Sequence, residues 1–227
     1  NSLSDADGLS GAISYQWYRD GAAIGGATAA SYTTTQTDVG TVLTTVASYT
    51  DDLGTAEIVI SAGTAAVANV NDAPTGVVTI DNPNPTQGDV LTAANTLADA
   101  DGLSGVISYQ WNRDGVAIGG ATGASYTTTQ TDVGTVLTVV ASYTDDLGTA
   151  ETVTSAGTAV VGNVNDAPTG VVTIDNLSPV QGDVLTAANT LADADGLSGV
   201  ISYQWYRDGV AIGGATGESY VTAQADV

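Results

Sequence analysis

The sequence predicts an all-β protein made of tandem β-sandwich units with a period of 94 residues. The first observation is repetition, because the stretch LADADGLSGVISYQW at Leu97 recurs almost unchanged from Leu3 and Leu191. The second is a regular alternation of short β-branched stretches with turn residues every 8–12 positions. The third is that apolar residues nowhere recur at helical spacing.

The repeat divides the chain into one complete unit and two partial ones. Residues 1–71 and 95–165 differ at 11 of 71 aligned positions, and residues 72–133 and 166–227 differ at 8 of 62. We therefore predict a complete unit at 72–165, a partial unit at 1–71 that has the third to last strands, and a partial unit at 166–227 that has the first to fifth. Such a chain has the form of an excerpt from a longer array.

The strands of the complete unit follow from composition and breakers. The β-branched stretch at 76–80 predicts the first strand, and prolines and a glycine in NPNPTQGD end it. A second strand is expected at 90–97, with Leu91, Ala93 and Leu97 on one face. In the third, Ile107, Tyr109 and Trp111 alternate with polar residues, which is typical of a strand with one buried face.

A hairpin and three further strands complete the unit. Asp114-Gly115 predicts a tight turn into a short fourth strand. The stretches ASYTTTQ, VGTVLTVVASY and TAETVTSAGTAVV predict the last three strands. The unit has one cation, Arg113, which we expect to pair with Asp132 at the surface and so to contribute only about 0–1 kcal/mol.

Two segments resemble an immunoglobulin-like domain. YQWYRDG is similar to the third-strand tryptophan and the turn that follows it, and TDVGTVLTV is similar to the segment that leads into the sixth strand. The resemblance implies a two-sheet sandwich. Its usual disulfide positions fall near Ala93 and Thr138, and the chain has no cysteine, so small side chains must pack against Trp111.

The net charge of −22 restricts the partners of the chain. With 25 acidic residues against three arginines, it cannot form the basic patches that nucleic acids or anionic membranes require. No apolar stretch approaches the length of a membrane span. Catalysis is also disfavoured, because the chain lacks His, Cys and Lys and its carboxylates lie in open loops.

The acidic residues predict a cation site where successive units meet. In a β-sandwich with this strand connectivity, three segments lie at the same end of the sandwich. They are the loop after the second strand, the loop after the sixth strand and the segment before the first strand. Oxygen ligands without His or Cys suit Ca²⁺. The predicted ligands at the two junctions are Asn69, Asn71, Asp72, Asp99, Asp101, Asp145, Asp146, Asn163, Asn165, Asp166, Asp193 and Asp195. The alternative is that these residues are solvated turns that add charge for solubility.

The linker NVNDAP resembles the NDNAP-like linker of cadherins, and the Asp-x-Asp loop at Asp99 is similar to a cadherin ligand loop. In that family such groups bind Ca²⁺ between successive domains, so the resemblance implies the same ion here. The Glu-containing cadherin ligand motifs are not visible in the sequence.

The chain as a whole resembles the extender region of large, repetitive bacterial surface adhesins of the type I secreted class. The resemblance implies an extracellular, cell-surface stalk that is stiffened by Ca²⁺ and projects a distal binding domain, with neighbouring repeats as partners. Two alternatives stay open. One is a subunit of a self-assembling extracellular filament or sheath, with other copies of the chain as partners, and the other is a glycan- or ligand-binding module.

Overall fold

The computed structural model describes residues 3–227 and confirms an all-β protein. Residues 1 and 2 of the predicted partial unit at 1–71 lie outside the described residues. Residues 3–71 contain strands β1 (Ser14–Arg19), β2 (Ala22–Ala23), β3 (Leu43–Thr50) and β4 (Ala56–Ile60). Residues 72–165 contain β5 (Val78–Ile80), β6 (Val90–Asn95), β7 (Ser108–Arg113), β8 (Val116–Ala117), β9 (Ser125–Thr127), β10 (Leu137–Thr144) and β11 (Ala150–Thr154). Residues 166–227 contain β12 (Val172–Ile174), β13 (Val184–Asn189), β14 (Tyr206–Arg207), β15 (Val210–Ala211) and β16 (Ser219–Val221).

The middle part of the chain forms two antiparallel sheets, of order β5-β6-β9 and β11-β10-β7-β8. All seven of its strands lie where the sequence predicts them, although most are shorter than predicted. The predicted tight turn between β7 and β8 is also present, with positive φ at Asp114 (46°) and Gly115 (81°). The earlier residues form one sheet of order β2-β1-β3-β4, the counterpart of the second sheet.

The core of the middle part lies between its two sheets. Trp111 from β7 is fully buried, and β6 contributes Leu91 and Ala93 to the same cluster. From β10 the inward residues are Leu137, Val139 and Ala141. Thr138, which the immunoglobulin resemblance placed beside the tryptophan, is half-buried between two inward positions, because side chains alternate along a strand.

The last part of the chain shows how burial of the first sheet depends on the second sheet. Residues 166–227 contain no counterparts of β10 and β11. Val172 is 57% exposed there, whereas its counterpart Val78 in the middle part is 4% exposed. The two sheets of a unit therefore bury each other's apolar faces.

A short 3-10 turn precedes the sixth strand of the first and middle units, at Gln36–Asp38 and Gln130–Asp132, and the same turn recurs at Gln224–Asp226. Asp132 is fully buried and accepts hydrogen bonds from Arg113 Nε (2.7 Å), Tyr126 Oη (2.8 Å) and the Thr129 backbone N–H (2.7 Å). Burial alone would raise the pKa of Asp132, but these hydrogen bonds outweigh it and hold the pKa below its ordinary value. The predicted Arg113–Asp132 pair is therefore present, and our expectation of a surface pair is wrong, since the carboxylate is withdrawn from water.

Candidate cation site at the unit junction

Three carboxylates from two loops and one strand meet at the leading end of the middle unit. Asp99 lies in the loop after β6, Asp145 follows the last residue of β10, and Glu151 is the second residue of β11. Each offers one carboxylate oxygen, and all three oxygens lie within 4.8 Å of one another. Oxygens that bind one Ca²⁺ at about 2.4 Å are at most about 4.8 Å apart, so the cluster has a suitable size. We call Asp99, Asp145 and Glu151 the carboxylate pocket.

Asp145 is the most distinctive member of the carboxylate pocket. Its side chain is 5% exposed, and its Oδ1 accepts hydrogen bonds from the backbone N–H groups of Leu147 (2.9 Å) and Thr149 (2.8 Å). Its Oδ2 is buried and has no hydrogen-bond partner among the described residues. The Thr149 backbone N–H lowers the pKa of Asp145 despite burial, so the group is ionised at neutral pH. A buried, charged oxygen without a partner is costly, and a cation would satisfy it.

The neighbours of the carboxylate pocket orient it without neutralising it. Tyr143 Oη donates to Asp99 Oδ2 at 2.6 Å. Burial raises the pKa of Tyr143, and the hydrogen bond to Asp99 raises it further, so the phenol stays protonated as a donor. Asn71, from the linker, donates through Nδ2 to Glu151 Oε1 at 2.7 Å. The pocket thus keeps its negative charge and is attached directly to the linker.

Asp101, two residues after Asp99, has a different role from the pocket. It is 4% exposed, and both of its carboxylate oxygens are occupied. Oδ1 accepts from Gln36 Nε2 of the first unit at 2.7 Å, and Oδ2 accepts from the Asp72 backbone N–H at 2.7 Å. Its own backbone N–H donates to Asp99 Oδ1 at 2.9 Å. Asp101 therefore joins the first unit, the linker and the middle unit through hydrogen bonds alone.

The remaining predicted ligands of this junction lie outside the carboxylate pocket. Asp146 Oδ1 accepts from the Ser104 backbone N–H (3.0 Å) and hydroxyl (2.5 Å), which ties the two loops together. The Asp72 side chain is exposed, and only its backbone N–H takes part in the junction, as the donor to Asp101 Oδ2. Asn69 Oδ1 lies 3.4 Å from Gln36 Nε2. The structure thus brings Asp99 and Asp145 together, with Asn71 beside them.

The second junction repeats the hydrogen-bonded part of this arrangement. The Asp166 backbone N–H donates to Asp195 Oδ2 at 2.7 Å, and the Asp195 backbone N–H donates to Asp193 Oδ1 at 2.9 Å. Asn165 Nδ2 donates to the Asp166 carbonyl at 2.9 Å, and Asn163 is exposed. Residues 166–227 do not include counterparts of Asp145 and Glu151.

The first unit repeats the hydrogen bonds around Asp5 and Asp51, the counterparts of Asp99 and Asp145. Tyr49 Oη donates to Asp5 Oδ2 at 2.8 Å. Asp51 Oδ1 accepts from the backbone N–H groups of Leu53 (2.9 Å) and Thr55 (2.7 Å). Two units with the same bonds indicate that the loop geometry follows from the repeated sequence.

Glu151 and the junction glutamines were not among the residues predicted from sequence. Glu151 lies within a strand, and its only sequence signal is its recurrence as Glu57 in β4. A glutamine begins each of the three 3-10 turns, at Gln36, Gln130 and Gln224, and this recurrence was visible in the repeated sequence.

Comparisons with known proteins give two distant structural likenesses. No protein-family model matches the chain, and no curated protein is significantly similar to it in sequence. The chain is similar to a structure from a 1.5-MDa bacterial ice-binding adhesin, in work on its retention at the host cell surface, with a TM-score of 0.32, 14% identity, and coverage of 81% of this chain and 73% of that one. It is also similar to a Ca²⁺-stabilized adhesin that helps an Antarctic bacterium reach out and bind ice, with a TM-score of 0.32, 16% identity, and coverage of 82% of this chain and 56% of that one. At this TM-score neither likeness bears on the function proposed for this chain.

Proposed function

We propose that the chain is a structural extender of an extracellular, cell-surface adhesin, and that Ca²⁺ bound in the carboxylate pocket stiffens the junction between successive units. The observation that carries the proposal is the buried, ionised Asp145 Oδ2, which has no hydrogen-bond partner within residues 3–227 and lies beside two further carboxylates. Repetition of nearly identical units favours a spacing role over catalysis, since an enzyme needs one shaped site and not several copies of the same loops.

The contacts of the pocket explain how an ion would act on the junction. Asn71 of the linker is bonded to Glu151, and Asp99 is bonded to the backbone of Asp101, which holds both the linker and the first unit. An ion that fixes Asp99 and Glu151 therefore restrains the linker from both sides. Pro74, two residues after Asp72, adds a fixed φ to the same short linker.

The oxygen ligands of the pocket favour Ca²⁺ over Mg²⁺. Ca²⁺ takes six to eight oxygen ligands in flexible geometry, so three carboxylates, an amide oxygen from Asn71 after reorientation and waters would form a suitable set. Mg²⁺ demands octahedral geometry and gives up its waters reluctantly, so we expect it to bind more weakly.

The test is calorimetric Ca²⁺ titration of Asp145→Asn against a matched control, Asp146→Asn. Both are made in an Asp51→Asn background, which removes the first unit's counterpart of Asp145. Asp145→Asn keeps the Oδ1 acceptor but removes charge at the pocket, so we expect affinity to fall by at least about tenfold. Asp146→Asn changes the neighbouring carboxylate, which bonds Ser104, and should leave affinity nearly unchanged.

A second readout tests the mechanical consequence. A ligand that binds only the folded form stabilises it by about 2.7 kcal/mol at 100 times its dissociation constant. Melting curves should therefore rise in millimolar Ca²⁺ relative to EDTA, and small-angle scattering should show a narrower range of unit orientations. Superimposable melts and scattering in the two buffers would contradict the proposal.

A further inference from the structure

We propose that glutamines at the trailing end of each unit form a cation-independent latch on the leading-end aspartates of the next unit, and that this latch sets the relative orientation of the units. The inference deepens the proposed extender function and rests on it for its biological purpose. The hydrogen bonds themselves do not depend on any ion. The latch residues are Gln36, Gln87 and Gln130 on one side and Asp101, Asp166 and Asp195 on the other.

At the first junction the latch is a single short contact. Gln36 Nε2 lies 2.7 Å from Asp101 Oδ1, across a sequence separation of 65 residues. The other oxygen of the same carboxylate accepts the Asp72 backbone N–H, and the side chain is 4% exposed. A hydrogen bond to a buried carboxylate is stronger and more directional than one between exposed neutral groups. This contact therefore restrains the first unit against the middle one.

At the second junction two glutamines converge on two aspartates. Gln87, in the connection between β5 and β6, donates to Asp166 Oδ2 at 2.8 Å. Gln130 lies 3.3 Å from the Ala194 carbonyl and 3.5 Å from Asp195 Oδ1. In the part of the chain that the structure describes, the Oε1 atoms of both glutamines are buried without a partner, and each amide bonds through the NH₂ group that faces the next unit. The orientation of each amide is fixed by the acceptors, since Oε1 facing them would repel.

The single arginine of each unit helps to position the latch glutamine. Gln36 begins the 3-10 turn that ends in Asp38, which is fully buried. Asp38 holds that turn through the backbone N–H of Thr35 (2.7 Å) and is itself held by Arg19 Nε (2.7 Å). The buried ion pair thus fixes the backbone that presents the latch glutamine. It acts as a positioning element for the junction.

A neutral amide is the suitable donor beside a cation pocket. Asp101 is bonded through its backbone to Asp99, which belongs to the carboxylate pocket. A lysine at position 36 would bring a positive charge close to the pocket and oppose an incoming divalent ion. Glutamine supplies N–H donors without charge. The latch and the pocket can therefore operate side by side.

The test measures orientation between units in the absence of divalent ions. The chain has no cysteine, so Ala22→Cys in the first unit and Val116→Cys in the middle unit accept spin labels at two defined, exposed positions. Pulsed dipolar spectroscopy in EDTA should give one narrow distance distribution for the parent chain. We expect Gln36→Leu to broaden it, and Gln36→Glu to broaden it further, because two carboxylates would face each other.

The matched control is Gln224→Glu, which changes the same position of the third 3-10 turn, outside the junction between the two labelled units. It should leave the distribution unchanged, and circular dichroism should show that all variants are folded. Distributions in EDTA that are the same for Gln36→Glu, Gln36→Leu and the parent would overturn the latch.

Calcium titration separates this inference from the proposed function. Gln36→Leu should keep calcium affinity within about twofold of the parent, since position 36 contributes no atom to the pocket. If the parent chain binds no calcium, but Gln36→Glu still broadens the distance distribution, the calcium proposal is overturned and the latch is supported. Loss of calcium affinity in Gln36→Leu equal to that in Asp145→Asn would instead overturn the independence of the two.

Discussion

Removing Asp132 should destabilise the middle unit far more than removal of a surface ion-pair partner would. The Asp132 carboxylate is fully buried and accepts hydrogen bonds from Arg113 through Nε (2.7 Å) and Nη2 (2.5 Å), from Tyr126 (2.8 Å), and from Thr129 through its backbone N–H (2.7 Å) and hydroxyl (2.8 Å). Breaking a buried pair costs about 3–5 kcal/mol, because the remaining partner is left unpaired. Arg113 is 28% exposed and regains some hydration, which places Asp132→Ala near the lower end, at about 3 kcal/mol.

Removal of the arginine should cost less than removal of the aspartate. In Arg113→Met, the Asp132 carboxylate keeps three donors from Tyr126 and Thr129, so we expect a loss of about 2 kcal/mol, the effect of losing charge-assisted hydrogen bonds. The double variant should cost less than the sum of the two, since each single change leaves the other group unpaired.

These losses in the free energy of unfolding are measured by urea unfolding, followed by Trp111 fluorescence. Trp17→Phe and Trp205→Phe are made in the same chain, so that the tryptophan signal comes from the middle unit alone. Urea is preferable to guanidinium, which would screen the ion pair. Losses below about 1 kcal/mol for both single variants would show that the pair behaves like an exposed one and would refute the reasoning.

Two further predictions concern the backbone and pH. Gly76→Ala should destabilise the middle unit by at least about 2 kcal/mol, because Gly76 has φ +89° and a new Cβ would lie 2.2 Å from the Thr96 carbonyl oxygen. The control is Gly88→Ala, since Gly88 has a similar φ of +87° but open space around the new Cβ. In the same urea assay it should lower the free energy of unfolding by only about 1 kcal/mol. Stability should fall as the pH drops from about 4 to about 2, because the hydrogen bonds to Asp38 outweigh its burial and lower its pKa to about 2, below the unfolded value of about 3.9. A carboxyl with a lowered pKa stabilises the fold above the unfolded pKa and loses that contribution on acidification, so thermal melts that are flat from pH 5 to pH 2 would contradict this sign.

The sequence predicts the strands well because each strand is encoded locally. The alternation around Trp111 and the turn at Asp114-Gly115 depend on neighbouring residues, and both are confirmed. The convergence of Asp99 and Asp145 was also predictable, since chain connectivity alone places their loops at one end. Whether the predicted ligands bind an ion stays a prediction.

The details of the site depend on long-range geometry, which the sequence does not display. Asp99 and Asp101 are two residues apart, yet one faces the carboxylate pocket and the other faces Gln36 of the preceding unit. Glu151 joins the pocket because its strand starts beside the loop that contains Asp145, a contact that depends on strand register. The burial of Asp132 was missed because the short 3-10 turn folds it inward, and turn residues are ordinarily expected at the surface.

The most direct measurement of the central claim is a crystal structure of the chain grown in millimolar Ca²⁺, with anomalous difference density calculated around the carboxylate pocket. We expect a peak at about 2.3–2.6 Å from Asp145 Oδ2, Asp99 and Glu151, with further oxygen ligands completing the coordination. A pocket that holds only water under these conditions, with Asp145 Oδ2 hydrogen-bonded to it, would contradict the claim that a divalent ion stiffens the junction.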